Sequence, residues 1–396
     1  MTSGKKSSVV GVFPVGLSDI MGLENQKDLS WPLNYSEQSK VNYGRLGTLV
    51  KLPLQISDQQ VADLVSIVMP LCYAKPFYVL EAAVLADAAV KSGHKICDCS
   101  GLLKYLMTGN DPPSFLSFTG NAAKHLLLPI KHSFVRGLGK SIIINSDFSV
   151  SGLLSENITC LSVNPLILKA AKTNGSFVRF KYPNDLLKSA NNASSTCHAS
   201  SQRHKLSAKS FIMQVLQPPD NLDKLIRSRA LTFIEAYVEE MLNMATDLIN
   251  MCASVKRLPD NLWLGSDGSL VNRAISHEVI KRGGVVTRFD HGYNRSLTKS
   301  KEHLVMLGLL SCTEYVFASK SMRDSWVLND LKNFLRPEKN FRLLFVDDTE
   351  QFKKVVSNSR QVSLPSNKPK LLYAAHIYRG ERQLSPSQLW DPMHFR

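Results

Sequence analysis

One short run, Asp290-His291-Gly292-Tyr293-Asn294-Arg295, brings a carboxylate, an imidazole, an amide and a guanidinium together at the end of the strand-like stretch 285–290 (VVTRFD). The glycine behind the histidine lets the backbone turn sharply and a substrate approach. A histidine in that position can take a proton from an acceptor hydroxyl, with Asp290 fixing its tautomer; the competing reading is a histidine that caps a loop. Other polar clusters stand after apolar runs in the same way: Ser266-Asp267-Gly268, Ser319-Lys320, and 376–381 (HIYRGE), which contains Arg379 and Gly380. Gly268 opens a helical pattern whose positive N-terminus could hold a phosphate or a sugar hydroxyl. An ordinary turn with Ser266 or Asp267 as N-cap fits those residues equally well. Arg273, one turn into the same helix, could face a cleft or solvent.

Several other chemistries lack their residues. Cys97 and Cys99 are spaced C-x-C with no second pair nearby, which argues against zinc. There is no Asp-x-Asp metal motif, P-loop, dinucleotide glycine fingerprint or G-x-S-x-G elbow. Asp347-Asp348 reads as a solvated turn. Neither a metal nor an organic cofactor is expected.

The elements that must position these clusters follow from periodicity. Helices are predicted over 58–72, entered through Ser57, and over 77–92, closed by Gly93, with a short strand at 94–98. The β-branched runs 141–145 (SIIIN), 158–163 (ITCLSV) and 176–181 (SFVRFK) read as strands, with a helix over 166–174. Residues 188–210 offer almost nothing to bury and read as a mobile insertion. Across 220–256, Leu225, Ala230, Phe233, Ile234, Tyr237, Met241, Met244, Leu248 and Met251 recur at helical spacing and predict core packing along one long helix or two consecutive helices. The last third alternates regularly: strand 261–265, helix 269–282 left through Gly283-Gly284, strand 285–290, strand 313–318, helix 322–334, strand 341–346 and strand 368–375. Strand and helix in alternation predict an α/β fold with a doubly wound, Rossmann-like parallel sheet. In such a sheet ligands bind outside the carboxyl ends of the strands, where the polar clusters stand.

Composition narrows the class. A 396-residue chain with 44% hydrophobic and 20% charged residues has the makings of a globular protein, either two α/β lobes or one lobe with large additions. The most apolar stretch, 61–90, is interrupted by Asp63, Pro70, Lys75, Pro76, Glu81 and Asp87, so buried helices are expected in place of a membrane span. Gly11, Pro14 and Gly16 break the apolar run near the N-terminus, which argues against a signal peptide. Seven cysteines, an odd number, suit reduced thiols in the cytosol. The formal charge of +15 favours anionic partners. Nucleic acid is not expected, because no zinc-finger, RNA-recognition or basic-helix signature accompanies the charge.

The stretch 261–327 adds a resemblance. Its strand and Ser-Asp-Gly loop, its helix, the run GGVVTRFDHG, and then TEYVFAS resemble the end of the first lobe of bacterial surface-polysaccharide glycosyltransferases of the two-lobe GT-B type. It is also similar to the glycerophosphotransferases that use CDP-glycerol, which carry a His-Gly pair at such a position. The resemblance implies His291 as the catalytic base beside Asp290, with Asp267, Gly268, Gly292, Asn294, Arg295, Ser319, Arg379 and Gly380 around the substrates. It further implies a nucleotide-sugar donor, a glycan or lipid-linked acceptor, and a cytoplasmic protein that can lie against the anionic inner face of the plasma membrane. The expected layout is an N-terminal extension over 1–50, a Rossmann-like acceptor lobe over 51–365 carrying the insertion 188–210, and the start of an incomplete donor lobe over 366–396. Alternatives are a CDP-alcohol phosphotransferase, or a carbohydrate- or nucleotide-binding protein without chemistry.

Overall fold

A computed structural model describes residues 35–93, 101–110, 141–145, 158–160, 174–180, 187, 199–265, 270–289, 308–317, 320, 323–324 and 342–345. They divide into two compact units, each built from separate stretches of the chain. The first is helical and the second is built on a sheet. The single lobe expected over 51–365 is therefore shared between two units.

The helical unit contains α1 (Tyr35–Gln55), α2 (Gln59–Lys91), α3 (Gly101–Thr108), α4 (Ala199–Val215) and most of α5 (Lys224–Ser254). Asp58, not Ser57, caps α2: its side chain accepts from the N–H groups of Gln60 (2.9 Å) and Val61 (3.2 Å). The two helices expected over 58–72 and 77–92 are one helix bent by 50° between Cys72 and Pro76. Pro76 has no N–H for the carbonyl one turn back, and its ring crowds that turn. Gly93, at φ +71°, ends the helix as its sequence position predicts.

Val65, Ile67, Val68, Leu80, Leu85 and Ala89 are all buried and lie on several faces of α2, which makes it the central helix of this unit, packed by α1, α3 and α4. No single helix among the described residues is long and apolar enough to cross a membrane; only the two bent halves of α2 together meet that length and composition.

Two expectations fail here. Residues 35–50 of the extension expected over 1–50 belong to α1, with Leu46, Leu49 and Val50 buried. Apolar residues spaced three and four apart give that helix a face to bury. Residues 199–210 of the supposed mobile insertion form the first turns of α4, while 188–198 lie outside the described residues. Ala208, Ile212 and Met213 give α4 a buried stripe. Its polar side is tied down by Lys205 to Asn243 (3.0 Å), Lys209 to Glu239 (2.9 Å) and His204 to Asp58 (3.5 Å).

Of the two forms expected, α5 is the single long helix, with Ala230, Phe233, Ile234, Tyr237, Met241 and Leu248 buried. The two ends of its predicted stripe differ: Leu225 is 62% and Met251 40% exposed. Asp223 caps the helix through Leu225 N (2.9 Å) and Ile226 N (3.2 Å), and its own N–H donates to Asp87 on α2 (2.8 Å).

Burial pushes the thiol of Cys72 up to about 12, and it raises Tyr237 well above the usual phenol range, with Cys72 adding to the effect. Cys252 is also pushed up to about 12, first by burial and then by Glu278, with Arg282 opposing. Each thiol has a folded pKa above its unfolded value. The stability held in the neutral form is therefore complete below about 9 and lost as pH rises through about 12. We expect alkaline denaturation to steepen in that window. Mass-mapped alkylation at pH 8 should leave Cys72 and Cys252 unmodified until denaturant is added. Rapid labelling of either in the native protein would contradict their burial.

The second unit is a seven-stranded sheet in the order β1-β3-β2-β4-β5-β6-β7. Its strands are β1 (Ser141–Asn145), β2 (Ile158–Cys160), β3 (Asn174–Phe180), β4 (Asn261–Leu264), β5 (Val285–Phe289), β6 (Glu314–Phe317) and β7 (Arg342–Phe345). Every pairing is parallel except β1 with β3. The expected α/β class with a parallel sheet is thus present, with one antiparallel strand at its edge. The predicted strands 94–98 and 368–375 lie outside the described residues, as does the predicted helix 166–174 except for its last residue, Asn174, which with Gly175 opens β3 instead.

In β4, β5 and β6 nearly every residue is buried, on both faces. Near-continuous burial of that kind marks parallel strands covered on both sides. Helix α6 (Leu270–Lys281) packs on β4 and β5. It ends through Gly283 at φ +85°, and a Cβ on Gly284 would sit 2.7 Å from Val279 Cγ1 and 2.9 Å from the Asp260 carbonyl.

Arg282, just past α6, closes the end of α5. Its NH1 donates to the Val255 carbonyl (2.8 Å), its NH2 to those of Cys252 and Ala253 (3.1 Å each), and its Nε to Glu278 (2.8 Å). Terminal helix carbonyls have no partner within their own helix, and a cation there also opposes the negative end of the helix dipole. Arg282→Ala should therefore cost about 1–3 kcal/mol, read as a lower urea midpoint. Arg282→Lys should recover only part of it, having no planar fork. An unchanged midpoint in the alanine variant would show that water replaces these bonds without loss.

Candidate functional site

Parallel pairing sets the carboxyl ends of four strands along one edge. Leu264 pairs with Arg288, Phe289 with Val316 and Phe317 with Phe345. From these ends the chain runs on into the polar clusters singled out by sequence. Leu264 is followed by buried Gly265 and then Ser266-Asp267-Gly268; Phe289 is followed by Asp290 and His291; Phe317 precedes Ser319 by two residues. Asp267, Gly268, Asp290, His291, Gly292, Asn294, Arg295 and Ser319 themselves lie outside the described residues, as do Arg379, Gly380 and the whole of 366–396. The edge from which the first eight depart is defined.

Strand order adds what periodicity could not supply. From β2 the sheet grows to one side into β3 and to the other into β4, so its topological switch point lies between β2 and β4. In open α/β sheets the ligand crevice forms at that point, outside the carboxyl ends. On one side of that point stands β4, followed in the chain by Ser266-Asp267-Gly268 and α6; on the other stands β2, which ends at Cys160 and is followed in the chain by Ser162 and Asn164. His291 follows β5, one strand away from the switch point.

The strands carrying this edge are braced by polar groups inside the sheet. Thr287 donates to Glu314 across β5 and β6 (2.7 Å), and Arg342 on β7 lies 3.4 Å from the other oxygen of the same carboxylate. Arg288, three residues before His291, is 2% exposed and lies over the ring of Tyr315 at 5.6 Å. A side chain at Gly308 would meet that guanidinium and require it to shift. Arg273, read from sequence as facing a cleft or solvent, is fully buried in the first turn of α6.

A cleft of about 350 Å³ lies at the opposite edge, where Lys256, Arg257, Asp260, Val279, Arg282 and Gly284 line the entries to β4 and β5. It is not where a parallel sheet holds its ligand. The cations there stand beside the C-terminal ends of α5 and α6, whose dipoles they offset. Among the described residues no group of three His, Cys, Asp or Glu side chains could hold a metal ion. Comparison of the chain with family models, with curated proteins and with solved structures finds no match.

Proposed function

We propose that this chain is a glycosyltransferase of surface-polysaccharide biosynthesis, that its sheet unit is a Rossmann-like, GT-B-type acceptor lobe, and that His291 is the general base. The reading is supported chiefly by one observation: His291 follows a buried parallel strand, β5, one strand away from the switch point of an open sheet. A base there would draw the proton from an acceptor hydroxyl as that oxygen attacks the anomeric carbon of a nucleotide-sugar, with the nucleoside phosphate leaving. Asp290 would orient the imidazole. Asp267, Gly268, Gly292, Asn294, Arg295 and Ser319 would contact the sugar and acceptor, and Arg379 and Gly380 the donor phosphates. The net charge of +15 suits an anionic donor, a lipid-linked or glycan acceptor, and work at the inner face of the plasma membrane.

Ligand-linked stabilisation tests the proposal. A thermal-shift panel of nucleotide-sugars and CDP-alcohols on the full-length gene product should single out one nucleotide-sugar, which at a hundred times its Kd stabilises by about 2.7 kcal/mol. A shift with CDP-glycerol alone would replace sugar transfer by phosphotransfer. No shift with any donor, in the presence or absence of a glycan acceptor, would overturn the proposal.

A further inference from the structure

We draw no further inference here: the strongest candidate, the basic cleft at the amino ends of β4 and β5 lined by Lys256, Arg257 and Arg282, carries nothing because the Arg282 guanidinium is already engaged by Glu278 and the α5 carbonyls and no second observation points to a ligand.

Discussion

Trp263→Ala is expected to lower stability by about 3–5 kcal/mol, the range for removing a fully buried large aromatic side chain. Trp263 is completely buried on β4, in register with Cys160 on one side and Thr287 on the other, and its ring centroid is 4.9 Å from that of Phe289. Truncation would leave a cavity on the sheet face that carries the Trp263 and Phe289 rings, and close packing there allows little relaxation to fill it. The buried indole Nε1 has no hydrogen-bond partner among the described residues. Trp263→Phe should therefore cost much less, because it loses some volume and at the same time removes a donor whose burial is unfavourable. Urea titrations of the two variants, followed by circular dichroism, give the comparison. Equal losses would mean that the indole nitrogen is satisfied, and a loss below about 1 kcal/mol for alanine would contradict a dry core around β4.

What the sequence disclosed depends on the range of the interactions involved. Strands β4 to β7 and helix α6 were legible because each signal is local: a β-branched or aromatic run, a glycine exit at Gly283, a polar residue directly after the strand. The body of α5 was legible from its apolar spacing. The exposure of Leu225 and Met251 was not, because periodicity does not tell where a packing partner stops. Helix α4 was missed because its first half is polar, and its order comes from Asn243, Glu239 and Asp58, residues between 30 and 146 positions away. The antiparallel pairing of β1 with β3 and the insertion of β2 between β3 and β4 are long-range choices that no window of sequence contains. The same holds for the division into two units, since the chain leaves each unit and later returns to it. Of the candidate site, the sequence identified the polar residues after the strands, and strand order adds which neighbouring pair of ends forms the switch point.

His291→Ala in the full-length gene product should reduce transfer by about 10²–10⁴-fold, the usual contribution of a positioned general base, and leave thermal stability near wild type. Stability is expected to hold because His291 comes after the last residue of β5 in the chain and is proposed to serve the substrate, not the core. His291→Gln sharpens the test. Glutamine keeps comparable size and hydrogen-bonding capacity but cannot accept the proton, so a base predicts similar losses in both variants, whereas a loop-capping histidine predicts that glutamine restores activity. Lys256→Ala controls for position, since Lys256 lines the cleft at the opposite edge of the sheet and should leave turnover unchanged. Turnover of His291→Ala within about threefold of wild type would reject the catalytic assignment, because a group carrying even the smallest typical share of general-base catalysis cannot be removed so cheaply. Loss of activity in Lys256→Ala equal to that of His291→Ala would place the chemistry at the other edge and overturn the switch-point argument as well.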